Sequence, residues 1–280
     1  MYSRIFKKSW REIFEHPGLF LPDVCGLLLT LGLGILALYF SGLLGLVLNF
    51  ELAAEEKIAR LIAYFLEDSG NLVRFFASVG FFVFTTFFLG AGFQVVKYAM
   101  FKEVAAKKKP GFFRALVPAN RAYYWKFIGM KIAVFLLLAV GFLPALLVGV
   151  PVGIASRGAG VALFGLAFLV IFVYLLIGLF FAYPALFVEN KGVRDGLRKS
   201  LAVGKEHRRK TLATGLIAAG IIFGAQLVIR VALIPVGNFP ALEFVLNSVL
   251  SLIPGVWMSY FIFLMYGELR DAKAAMKKRS

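Results

Sequence analysis

The chain has 280 residues, 61% of them hydrophobic and 16% charged, with 31 Lys and Arg against 15 Asp and Glu and a formal net charge of +16. Its mean hydropathy is +0.86. This much apolar surface cannot be hidden inside one water-soluble core, and the chain carries a single Cys, Cys25, so a soluble globular enzyme, a disordered chain and a disulfide scaffold are excluded.

In the first sixteen residues, Tyr2, Ile5, Phe6, Trp10, Ile13 and Phe14 form an apolar stripe at helical spacing, with Arg4, Lys7, Lys8 and Arg11 on the other face. Such a helix is expected to lie in the headgroup plane near anionic lipid. No A-x-A-like cleavage site follows, and the next apolar run far exceeds a signal-peptide core, so the segment is read as retained. His16-Pro17-Gly18 then breaks the helix and turns the chain into the membrane.

A spanning helix needs about 20 mostly apolar residues. Six stretches qualify: within Leu19–Phe50, then Leu72–Val96, Phe127–Val150, Gly160–Phe187, Thr211–Ile234 and Ala241–Gly267, with a basic tail over 268–280. The first stretch is long enough for a re-entrant pair, yet no polar turn divides it, so one span is expected. Between spans 1 and 2, Leu52, Ile58, Ile62 and Phe65 alternate with charges in a pattern for a helix on the outer surface or an extension of span 2. The links Ala155–Ala159 and Pro235–Pro240 are short and rich in Gly and Pro, as tight turns require.

The N-terminal arm, the 2–3 link, the 4–5 link and the tail together hold 25 of the 31 Lys and Arg. The positive-inside rule then places both termini in the cytoplasm of a multi-pass cell-membrane protein. The fold class expected is all-α: one domain of six transmembrane helices with amphipathic interfacial helices on the cytoplasmic side. Residues 1–16, about 110–125 and about 192–209 each precede a pair of spans. The first and third share Lys8-Ser9 with Glu15-His16 against Lys199-Ser200 with Glu206-His207 at identical spacing. Three helix-plus-hairpin repeats and a set of ordinary membrane anchors both accommodate this pattern.

Phe181–Ser200 ends a span on a Pro, passes through Val188-Glu189 and enters a Leu-x-x-Ser amphipathic helix. It resembles the recurring segment of the membrane domain attached to some bacterial glycerophosphoryl diester phosphodiesterases, and related six-helix membrane proteins of prokaryotes, archaea among them. The Ser9-Trp10 arm leading to Pro17 and Pro22, and the Lys97–Pro110 segment, are similar in layout. The resemblance implies six helices, amphipathic cytoplasmic segments and no catalytic residues, because the soluble phosphodiesterase barrel of those fusions is missing from this sequence.

Catalytic patterns are equally scarce. His16 and His207 lack the companion ligands of a zinc site, and no G-x-S-x-G, H-E-x-x-H or Walker A spacing occurs. No metal, cofactor or catalytic residue is expected, and positive-inside topology with anionic lipid accounts for the basic residues without nucleic acid. Lys7, Lys8, Trp10, Arg11, Trp125, Lys126, Arg198, Lys199, Arg208 and Arg209 are the candidate headgroup or interface contacts. Asp23, Gln94, Lys131, Gln226, Arg230 and Asn247 are the candidate intramembrane polar groups, with snorkelling to the nearer interface or ion pairing as the expected outcome for the charged ones. Lys97 is likewise expected to snorkel or to form an ion pair. The function expected is non-enzymatic, engaging lipid or scaffolding the bilayer or a complex, with a protein partner or a second copy as further partners. The alternative is a transporter or permease subunit for a small or amphiphilic solute, which predicts a water-accessible cavity lined by Asp23, Gln94, Gln226 or Asn247.

Overall fold

The computed structural model describes residues 1–49, 52–155, 165–166, 175, 177–237 and 239–277. Among them the helices are α1 (Tyr2–Glu15), α2 (Leu21–Phe40), α3 (Leu44–Leu48), α4 (Ala54–Glu67), α5 (Ser69–Ala105), α6 (Phe112–Ala155), α7 (Ala182–Glu189), α8 (Val193–Glu206), α9 (Arg208–Leu233) and α10 (Pro240–Lys277), and no strand occurs. Five of these, α2, α5, α6, α9 and α10, are long and apolar enough to cross a membrane. Half of the expected fourth span, 160–187, falls outside the described residues; its described end, Ile177–Glu189, is an apolar helical segment.

The first span is shorter than its apolar run. It stops at Phe40, where Gly42 adopts φ +75° and the Tyr64 hydroxyl donates to the Ser41 carbonyl at 2.6 Å. A Cβ at residue 42 would sit 2.7 Å from that hydroxyl, so the turn requires glycine on two counts. α4 is separate from α5 because Asp68 caps the new helix, accepting from the Gly70 N–H at 2.8 Å. Ile58, Ile62 and Leu66 remain exposed along α4, a face suited to the bilayer surface.

One expectation fails between spans 2 and 3. The segment 110–125 is not a separate interfacial helix but the beginning of α6, which runs unbroken for 44 residues. At 1.5 Å per residue, α5, α6 and α10 are roughly 55–66 Å long, about twice the hydrocarbon thickness. The basic segments gather at one end of the bundle, called here the basic end. The core lies there: Val96, Met100 and Phe101 of α5, Phe127 and Met130 of α6, Leu186 and Phe187 of α7, and Trp257, Tyr260 and Tyr266 of α10 are buried. Toward the far end the spans present Ile35, Phe84, Phe135, Val228 and Phe244 outward.

α1, expected in the headgroup plane, also packs on the bundle. Ile5, Ser9 and Ile13 are buried against α10. The Trp257 indole N–H donates to the Ser9 hydroxyl at 2.9 Å, and the Tyr260 hydroxyl donates to Glu12 at 2.6 Å. Arg4 pairs with Glu268, and the Tyr2 hydroxyl donates to the Lys210 carbonyl at 3.0 Å. These contacts bring the N-terminal helix and the C-terminal half of α10 to the same end.

α8 repeats the device in the register of the shared Lys-Ser and Glu-His pairs. Both helices have 14 residues and are followed by a His. The buried Ile5, Ser9 and Ile13 correspond to the buried Gly196, Ser200 and Gly204. Ser200 donates to the Gly178 carbonyl at 2.8 Å, while a Cβ at Gly204 would collide with the Ile177 carbonyl. α8 thus leans on the end of the fourth apolar segment, as the start of α6 leans on the end of α5 through Ala115 and Ala119. α1 closes the ring by leaning on α10.

Trp257→Phe keeps an aromatic ring but leaves Ser9 without its donor, at a cost of about 1–2 kcal/mol. Trp257→Ala adds a core cavity and is expected to cost about 3–5 kcal/mol in reversible unfolding from mixed micelles. Parent-like stability in Trp257→Phe would remove the hydrogen bond from the account.

Candidate functional site

Pro22 at the start of α2 places Asp23 in the first turn, where the helix N-terminus favours a carboxylate. α5 packs along α2 and presents Gln94 and Lys97 three residues apart on one face. Lys97 Nζ lies 3.0 Å from Asp23 Oδ1, and Gln94 Nε2 lies 3.3 Å from the same oxygen. The Lys97 and Asp23 side chains are only 6% and 14% exposed. Of the two outcomes expected for Lys97, the structure has the ion pair: its charge is cancelled inside the bundle by a residue 74 positions away. Asp23 Oδ2 is buried and has no hydrogen-bond partner among the described residues.

The remaining intramembrane candidates do not join this cluster. Lys131 Nζ sits 4.6 Å from the centre of the Phe87 ring and 5.9 Å from that of Phe127, a cation–π arrangement between α5 and α6. Gln226 donates to Ser251 at 2.9 Å and ties α9 to α10. Asn247 is half-buried on α10, and Arg230 is exposed near the far end of α9.

The headgroup candidates form a collar around the basic end. Lys7, Arg11, Arg198, Lys199, Arg208 and Arg209 are exposed, and Lys8 lies 3.8 Å from Glu12 within α1. Trp125 is 75% exposed, the position of an interface anchor. Lys126 is half-buried over the Tyr123 ring at 5.6 Å. Trp10 is different: it stacks on Trp257 at 5.5 Å and on Phe14 at 5.5 Å, so its ring chiefly fastens α1 to α10.

Three cavities open within the collar. One of about 350 Å³ is lined by Glu189, Lys191, Asp195, Arg198, Lys199, Tyr266 and Arg270. A second of about 470 Å³ is lined by Lys102, Glu103, Lys108, Arg114 and Tyr123. The third, about 370 Å³, includes Lys8, Lys102, Glu268 and Arg270, so Lys102 and Arg270 each border two cavities. An apolar groove of about 230 Å³ lies farther out between α2 and α5, against Leu38, Phe75 and Phe82. None of these four includes Asp23, Gln94, Gln226 or Asn247. Among the described residues no three His, Cys, Asp or Glu converge as metal ligands.

Sequence reasoning did not single out Tyr266, and counted Lys191 and Arg270 only as basic charge. Tyr266 reads as one more apolar residue of a span. Lys191 follows Asn190, whose left-handed φ of +53° makes the turn that aims α8 back along α7. That turn residue is the one local signal that the two helices enclose a space.

Helices of this length and apolarity, with the core at one end, define an all-α polytopic membrane protein. Compared with known families, curated proteins and solved structures, the chain matches no family model, no curated protein and no solved structure.

The buried pair makes a double-mutant expectation. Asp23→Leu or Lys97→Met alone leaves an uncompensated charge and is expected to cost about 3–5 kcal/mol, whereas the double variant returns to within about 1–2 kcal/mol of the parent. Additive losses in a denaturation series would show that the two charges do not compensate each other.

Proposed function

We propose that the protein is a non-enzymatic membrane protein that engages anionic lipid through its basic collar, with both termini on the cytoplasmic side. The observation that carries this reading is the division of labour along the bundle. Polar and aromatic packing is concentrated at the basic end, exposed cations surround it, and the far halves of the spans offer apolar flanks to lipid. The position of the 25 basic residues supports the orientation through the positive-inside rule. The resemblance of Phe181–Ser200 to a non-catalytic membrane domain agrees with a role without chemistry of its own.

Transport is the second reading, and the unpartnered Asp23 Oδ2 favours it, since a buried carboxylate oxygen without a donor is a place where a proton or solute could act. The cavities bordering other residues weigh toward lipid.

Protein in nanodiscs of phosphatidylcholine alone is compared with protein in nanodiscs that also contain phosphatidylglycerol. Thermal unfolding is expected to shift upward in the anionic discs by an amount equivalent to about 2–3 kcal/mol, and to lose most of that gain in high salt. No shift would remove the lipid reading, and proteoliposome flux abolished by Asp23→Asn would install transport in its place. For orientation, Gly237→Cys in a Cys25→Ser background is expected to react with an impermeant maleimide added to intact cells. Reaction only after permeabilisation would reverse the topology.

A further inference from the structure

We infer that the cavity between α8 and the last turns of α10 binds one phosphate group, carried by the headgroup of an anionic phospholipid. This inference rests on the lipid reading and gives it a location.

The cavity is built rather than accidental. Its floor is the fully buried Tyr266, whose hydroxyl lies 3.1 Å from Glu189 Oε1. Asp195, Arg198, Lys199 and Ala202 project from one face of α8, because residues three and four apart share a face. The opposite face of α8, through Gly196, Ser200 and Gly204, is fixed against the Ile177–Glu189 segment, so the cationic wall cannot roll away. Arg270 closes the α10 side, and Lys191 stands in the α7–α8 turn.

Charge decides the class of ligand. Four cations and two carboxylates border a volume of about 350 Å³. Arg270 is held by Asp271 at 2.8 Å, yet among the described residues Lys191, Arg198 and Lys199 form no ion pair, although Glu189 and Asp195 line the same space. Three uncommitted cations around a small cavity match a group with several negative oxygens, for which Arg supplies a fork and Lys a point charge.

Depth decides the source. Tyr266 lies 26 residues beyond the start of α10, about 39 Å along the helix, and a bilayer has about 30 Å of hydrocarbon within about 40–45 Å overall. With the start of α10 at the far boundary, the cavity falls in the opposite headgroup layer. Leu201, exposed beside Ala202, gives the acyl chains an apolar flank.

The test uses the full chain in nanodiscs of phosphatidylcholine with phosphatidylglycerol, released for native mass spectrometry. The parent is expected to retain phosphatidylglycerol, the R198Q/K199Q variant to retain at least tenfold less, and K7Q/R11Q, which thins the open collar on α1 without touching the cavity, to lose no more than about twofold. Retention at the parent level in R198Q/K199Q, or an equal loss in K7Q/R11Q, overturns the site while leaving a general lipid-binding collar standing. Should R198Q/K199Q not fold, Lys191→Gln in the turn carries the same comparison, with a loss of about threefold expected and parent-level retention again overturning the site. Radiolabelled inorganic phosphate is then offered to protein in phosphatidylcholine discs. Absence of saturable binding supports the lipid source; saturable binding lost in R198Q/K199Q, with no phosphatidylglycerol retained by the parent, overturns the lipid source and the lipid reading but leaves a phosphate site.

Discussion

An indole N–H buried among apolar side chains must find an acceptor, and Trp257 finds Ser9. That one bond fixes where the N-terminal helix sits, because it lets Trp10 and Phe6 pack on the same indole and brings Glu12 to Tyr260. In a bilayer an amphipathic helix has two apolar environments of almost equal merit, lipid and protein. Exchanging one for the other changes little hydrophobic energy, so the choice falls to directional contacts. The Trp257–Ser9 pair supplies the direction, and the arrangement of the basic end follows from it.

The same economy explains why the interior cations are treated unequally. Lys97 stands in a crowded, buried place and is neutralised by Asp23, since an isolated ammonium there would cost several kcal/mol. Lys131 lies in a looser setting and is steadied by two ring faces. Lys199 and Arg198, at the surface, need neither and keep their charges available. Along one polarity gradient the protein moves from paired charge to ring-shielded charge to open charge, and only the last kind can meet a partner.

Helical class, the positions of the described spans and the basic segments are legible in the sequence because they depend on composition and on a period of 3.6, which are local. Whether the stripe Ile5–Ser9–Ile13 faces lipid or protein is not, because periodicity reports an apolar face without naming what it touches. The clue is the polar Ser9 at the centre of the stripe, repeated at Ser200. The continuity of α6 is missed for the opposite reason: Tyr123-Tyr124-Trp125-Lys126 looks like a boundary by polarity, yet it contains no Gly or Pro to stop a helix. The Asp23–Lys97 pair and the Tyr266 floor depend on tertiary approach across helices, which no single-helix pattern encodes.

The closing of the ring by α1 has a consequence for biogenesis. The seat for α1 is made by Trp257, Tyr260 and Glu268, so it does not exist until α10 has left the ribosome. During that interval the stripe of Tyr2, Ile5, Phe6, Trp10 and Ile13 has no protein to cover it, and the membrane surface is the one apolar phase at hand. The helix thus has two successive lodgings, the leaflet during synthesis and α10 afterwards. Its basic face suits the first, and the serine in its apolar face suits the second. Final docking joins residues more than 240 positions apart, a contact of long loop closure that forms late in assembly.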